Sequence, residues 1–156
     1  MAVSKITTDQ HKALGITLFN QTWDLIEKPD RTPDEEADMI HMAHASAFHW
    51  RQVGTELNFA RSEWQISHVY GILERGEPAI YHAARCLKLC QENQIGDFDL
   101  AYAYEAVARA HWLLGSTKDA QHFLKQAEEA GKSIAKDGDK KQFFSDLTDL
   151  QKMIKG

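Results

Sequence analysis

Apolar residues recur along this chain every three or four positions and nowhere alternate with polar ones, the period of amphipathic helices rather than strands. The pattern predicts seven helices. The first spans Thr8–Lys28, with Thr7 or Thr8 as cap and Leu14, Leu18, Phe19, Trp23 and Ile26 as its stripe. The segment Lys28–Pro33 breaks it. Thr32 then caps a second helix that opens on Pro33 with Asp34, Glu35 and Glu36 in its first turn, where proline loses no hydrogen bond and acids face the positive end of the dipole. That helix ends near Gly54. A third covers Leu57–Glu74, stopped by Arg75-Gly76, and a fourth Glu77–Asn93. Asp97 is the expected cap of a fifth, closed by Leu114-Gly115. A sixth reaches Lys136, Asp137-Gly138-Asp139 reads as a turn, and Phe143, Phe144, Leu147, Leu150 and Ile154 mark a seventh. Short turns between helices make neighbours antiparallel, so the fold class is all-α, built of helix hairpins.

The pattern also repeats. Trp23 and Trp64, Ala60 and Ala101, Ile66 and Val107, Leu73 and Leu114, Ala79 and Ala120, and His41 and His82 each stand 41 residues apart. Residues 101–127 resemble a tetratricopeptide repeat. Ala108 sits at the close helix crossing, Leu114-Gly115 ends the first helix, Ala120 opens the second, and Leu124 and Ala127 continue its packing face. Residues 60–86 match more loosely through Tyr70, Leu73, Ala79, Ala83 and Cys86. His111 replaces the usual aromatic, the closing proline is missing, and the period is longer than the family's. The resemblance implies a right-handed stack of helix hairpins, with a closed helical bundle as the alternative, and a concave side, formed by the first helix of each pair, that binds extended peptides or small ligands. The Ala-His-Ala-Ser-x-x-His-Trp segment also looks like that of small bacterial proteins of unassigned function.

Composition fits a single domain over residues 1–156. Hydrophobic residues are 43% and charged residues 26%, ordinary for a globular chain. No apolar run has signal-peptide or membrane-span length, so the expected location is the cytoplasm, with no membrane partner. A formal charge of −5 opposes nucleic-acid binding, which needs a basic face. Cys86 and Cys90, four apart, lack redox or zinc spacing and read as reduced core thiols.

The candidate chemistry lies on one face. Arg61, Trp64 and His68 on the third helix and Tyr102, Glu105, Arg109 and Trp112 on the fifth fall on matching stripes. Aromatic rings and arginines on one face supply area and directed hydrogen bonds, as binding surfaces do. This predicts a non-enzymatic binding module for a peptide or protein partner, with no cofactor. The alternative rests on histidines. His41 and His44, at i and i+3, with His68 as a third ligand, are candidates for a metal- or small-molecule-binding bundle with hydrolase chemistry. No His-Glu-x-x-His motif, nucleophile elbow or phosphate loop supports catalysis. Met39–Trp50, holding three of the eight histidines, is apolar on almost every side, as a buried, central helix would be, whereas the repeat, in which it is the second helix of its pair, puts it in the outer layer unless another chain covers it or the stack closes into a bundle. The seventh helix is either the cap of the stack or a homodimer contact.

Overall fold

A computed structural model describes residues 4–155. Its seven helices are α1 (Thr8–Glu27), α2 (Pro33–Val53), α3 (Glu56–Ile72), α4 (Gly76–Glu92), α5 (Asp97–Leu113), α6 (Thr117–Lys132) and α7 (Asp137–Lys155), with no strand among the described residues. They pair as α1/α2, α3/α4 and α5/α6, and the hairpins stack in chain order through α2 on α3 and α4 on α5. The helices α1, α3, α5 and α7 adjoin one another and form an inner layer; α2, α4 and α6 lie outside it.

Local chemistry explains the breaks. Thr7 and Thr32 each accept from the backbone N–H three residues on, and Gln10 and Glu35 return the bond to the cap's own N–H, so both ends satisfy two otherwise orphaned donors. The C-terminus of α1 has no glycine. Instead the Arg31 guanidinium donates to the carbonyls of Leu25, Ile26 and Lys28 at 3.0–3.2 Å. The ends of α3 and α5 use one geometry 41 residues apart. Arg75 N–H bonds Tyr70 C=O and Ser116 N–H bonds His111 C=O, at 2.8 and 2.9 Å, with a left-handed residue before each donor. That residue is Gly115 (φ 79°) in the second case but Glu74 (φ 59°) in the first. Between α3 and α5 the sequence repeat is therefore also a backbone repeat.

Three expectations about boundaries are corrected. Gly76 does not stop α3 but opens α4. Asp97 is the first residue of α5, at φ 54°, and Gly96 is the cap. The Asp97 carboxylate accepts from Phe98 N–H at 2.7 Å and from Ala135 N–H at 3.0 Å, so it fastens the loop between α6 and α7. Helix α6 ends at Lys132, and Asp137-Gly138-Asp139 forms the first turn of α7, where its acids suit the dipole.

The core is built from alanines where helices cross and larger side chains between them. Ala60, Ala79, Ala83, Ala101, Ala108, Ala120 and Ala127 are all buried, letting backbones approach. Phe143, Leu147 and Leu150 of α7 close the α5/α6 hairpin, each burial contributing about 1.5–3 kcal/mol. Cys86 and Cys90 are free thiols buried beside Ala60 and Ala103. The expectation of a central, fully buried Met39–Trp50 is also corrected. Helix α2 buries one face through Met39, Ala43 and Ser46, while His41 is exposed and Phe48 is 61% exposed. Much of its apolar character is alanine, which removes too little area from water to draw a helix inward on all sides.

Candidate functional site

A cleft of about 720 Å³ opens on the inner layer. Arg61, Trp64 and His68 of α3 and Tyr102, Glu105 and Arg109 of α5 all line it, so the two predicted stripes meet on one surface. Trp112 does not. One turn beyond Arg109, it packs partly buried against the hydrophobic cluster made by α5, α6 and α7. Two further walls belong to helices outside the predicted stripes. Phe19, Trp23 and Glu27 come from α1, and Gln142, Asp146 and Asp149 from α7.

The repeat positions these groups. Trp23, Trp64, Glu105 and Asp146 are successive 41-residue steps, one on each inner helix, and all four face the cleft. Helix α7 thus takes the place of a fourth inner helix as well as closing the core. The signal was present in the spacing, since Asp146 follows Glu105 by the interval that separates Trp23 from Trp64.

One wall is aromatic. The Trp64 and His68 rings stack at 4.7 Å and 14°, and Trp23 stacks on Trp64 at 5.9 Å and 22°. The Trp64 indole N–H donates to the Tyr102 carbonyl at 3.1 Å, while the Tyr102 ring meets Trp64 edge-on at 5.6 Å. These bonds lock the indole plane between α3 and α5. Burial pushes His68 down to about 4, with the nearby Arg109 charge adding to the effect and Asp146 opposing it. At neutral pH the stacked ring is uncharged.

The other wall is ionic. Arg61 forms a two-pronged bond to Asp99, at 2.9 and 3.1 Å. Arg109 donates through Nε and Nη2 to Glu105 Oε1 at 3.2 and 2.8 Å. Glu105 is only 2% exposed, and burial raises its pKa despite the Arg109 charge. Gly71 makes room for that arginine, since a Cβ there would stand 3.0 Å from Arg109 Cδ. The Tyr102 hydroxyl donates to Asp146 at 2.6 Å, and burial first, then that carboxylate, holds its pKa well above the usual phenol range. Cys86 also borders the cleft. Its thiol is pushed well up by the hydrogen bond with Cys90 and by burial, which keeps it protonated and a poor nucleophile.

The metal candidates are not brought together. His41 is exposed, His44 Nε2 lies 2.9 Å from the Tyr70 hydroxyl, and His68 is in the cleft among the indoles. Among the described residues no three histidine, cysteine or acidic side chains converge as a metal site would require. Instead the outer histidines join a polar network. His82 Nδ1–H donates to Glu63 at 2.7 Å, Arg85 donates to the other oxygen at 3.1 Å, and the His44 and His82 rings meet edge-on at 5.3 Å. Burial opposes the Glu63 charge, but the bonds from His82 and Arg85 outweigh it and hold its pKa below the usual range.

No protein-family model, curated protein or solved structure matches the chain. No helix among the described residues is long and apolar enough to cross a membrane. What fold and cleft define is a class by architecture: an all-α stack of helix hairpins with one concave, aromatic-and-ionic surface.

Proposed function

We propose that the chain is a non-enzymatic binding module of the tetratricopeptide-like kind, taking a peptide or protein partner in the cleft of its inner layer. The observation that carries this reading is the convergence of Arg61, Trp64, His68, Tyr102, Glu105 and Arg109, from two separate helices, on one open surface. The cleft volume falls within the roughly 300–1,000 Å³ of ligand sites. Its titrations are perturbed, as at functional sites generally. The perturbations suit recognition better than proton transfer. His68 is neutral with no hydrogen-bond partner among the described residues to orient it as a base, and Tyr102 is tied to Asp146 as a donor.

Selection of a displayed peptide library on the purified protein tests this. Enriched peptides should lose at least about tenfold in affinity when Trp23→Leu thins the aromatic wall or Gln142→Trp fills the cleft from its exposed rim, with the helical spectrum unchanged. Enriched peptides that bind both variants as well as the parent would place recognition elsewhere and overturn the proposal.

A further inference from the structure

The polar groups of the cleft are unbalanced. Five carboxylates line it, from Glu27, Asp99, Glu105, Asp146 and Asp149, against the two guanidinium groups of Arg61 and Arg109. Both guanidinium groups are committed, to Asp99 and Glu105. Glu27, Asp146 and Asp149 have no cationic partner among the described residues. Asp146 is oriented by neutral donors alone, the Tyr102 hydroxyl at 2.6 Å and the Gln142 amide at 3.1 Å. The excess does not depend on how Glu105 titrates.

The donors nearest these acids are also engaged. The Trp64 indole N–H points into the Tyr102 carbonyl and the Tyr102 O–H into Asp146. Acceptors are therefore left over, and a complementary ligand must bring donors and positive charge. A guanidinium group brings five N–H donors and no acceptor. The Trp23–Trp64 stack supplies the second half of such recognition, because the negative face of an indole attracts a cation within about 6 Å.

We infer that the cleft takes the basic side chains of a partner peptide, arginine above all, seated between the Trp23–Trp64 wall and the unpaired acids of α1 and α7. This rests on the binding-module reading and names its ligand. Charge complementarity argues for the occupant. An acidic segment would face the uncompensated carboxylates of Glu27, Asp146 and Asp149, and a purely apolar one would leave those carboxylates desolvated without partners.

Calorimetric titration of the whole chain with four probes tests it: an eight-residue peptide alternating arginine and glycine, its glutamate counterpart, its serine counterpart, and arginine amide. The arginine peptide should bind best. The triple variant Glu27→Gln, Asp146→Asn, Asp149→Asn should weaken it at least about tenfold. The triple variant Asp38→Asn, Glu92→Gln, Glu128→Gln, which removes equal charge from the outer helices, should change it less than about twofold. Equal weakening by both triples would reduce the effect to the general field of an acidic protein and overturn the inference. Tighter binding of the serine or glutamate peptide, still blocked by Gln142→Trp, would overturn the cation preference and leave the binding module standing. Arginine amide binding as tightly as the peptide would overturn the assignment to a peptide segment. Absence of binding by every probe would overturn the inference, and if library selection also enriches nothing, the module reading fails with it.

Discussion

Arg109 holds Glu105 in place from the next turn of the same helix, and the two differ tenfold in contact with water: the arginine side chain is 21% exposed, the glutamate 2%. The asymmetry predicts unequal mutants. Arg109→Ala strands a buried carboxylate and should cost about 3 kcal/mol or more. Glu105→Gln leaves a cation that reaches solvent and should cost about 1–2 kcal/mol. Urea denaturation of both variants measures the difference. Equal losses would mean that the arginine is as desolvated as its partner.

Gly131 of α6 packs against the aromatic residues of α7. A Cβ there would meet Phe143 Cε2 at 2.5 Å and Phe144 Cζ at 2.9 Å. Phe143 is fully buried and cannot swing aside. Gly131→Ala should destabilise by about 1–3 kcal/mol, against the helix-propensity gain of about 1 kcal/mol that alanine brings elsewhere. Because α7 carries Asp146, the same variant should weaken ligand capture more than it lowers total helicity. Thermal melting and a binding titration on the same sample test both parts.

Stability should fall in acid, and the sign follows from burial. His68 is pushed down to about 4 by burial and by Arg109. His44 is lowered by burial, then by His82 and His41, and His49 by burial, then by His11. Below about 6.5 the unfolded chain takes up these protons and the folded chain resists them. The contribution is complete above that pH and is lost progressively toward pH 4. The melting temperature should drop between pH 7 and 4.5, and His68→Phe should drop less than the parent over that interval. A parent curve flat across the interval would contradict the shifts.

Trp64 bridges α3 to α5 through its hydrogen bond to the Tyr102 carbonyl. Trp64→Phe keeps an aromatic face but removes that donor. It should cost about 1–2 kcal/mol and loosen the cleft, seen as faster hydrogen exchange in the middle of α3 and the first half of α5.

The helices were legible because their period, caps and prolines are local. Thr32-Pro33 with its three acids is one continuous signal, and the fold places α2 accordingly. Half of the cleft was legible for the same reason: Arg61, Trp64 and His68 lie on one helical face, as do Tyr102, Glu105 and Arg109. Trp112 shares the spacing but not the surface. It lies in the last turn of α5, where the α5–α6–α7 cluster covers it, and no property of α5 alone reveals that. Asp149 was hidden behind the apolar stripe of α7, which reads as a cap, and Asp146 showed only through its 41-residue step from Glu105. A helix can close a core with one face and line a cleft with the next. Met39–Trp50 misled through composition, because alanine counts as apolar in a pattern and weighs little in area.

The 41-residue step has one more consequence. At positions 23, 64, 105 and 146 one residue of each inner helix faces the cleft, while the side chain changes from indole to indole to carboxylate to carboxylate. The buried alanines that set how the helices cross are other residues altogether. The helix crossings and the cleft-facing residues thus occupy different columns of the same repeat. Under the proposed binding reading, ligand preference would be altered at the half-buried Trp23 and Asp146, whereas Trp64 and Glu105 are tied into the packing through the Tyr102 carbonyl and Arg109.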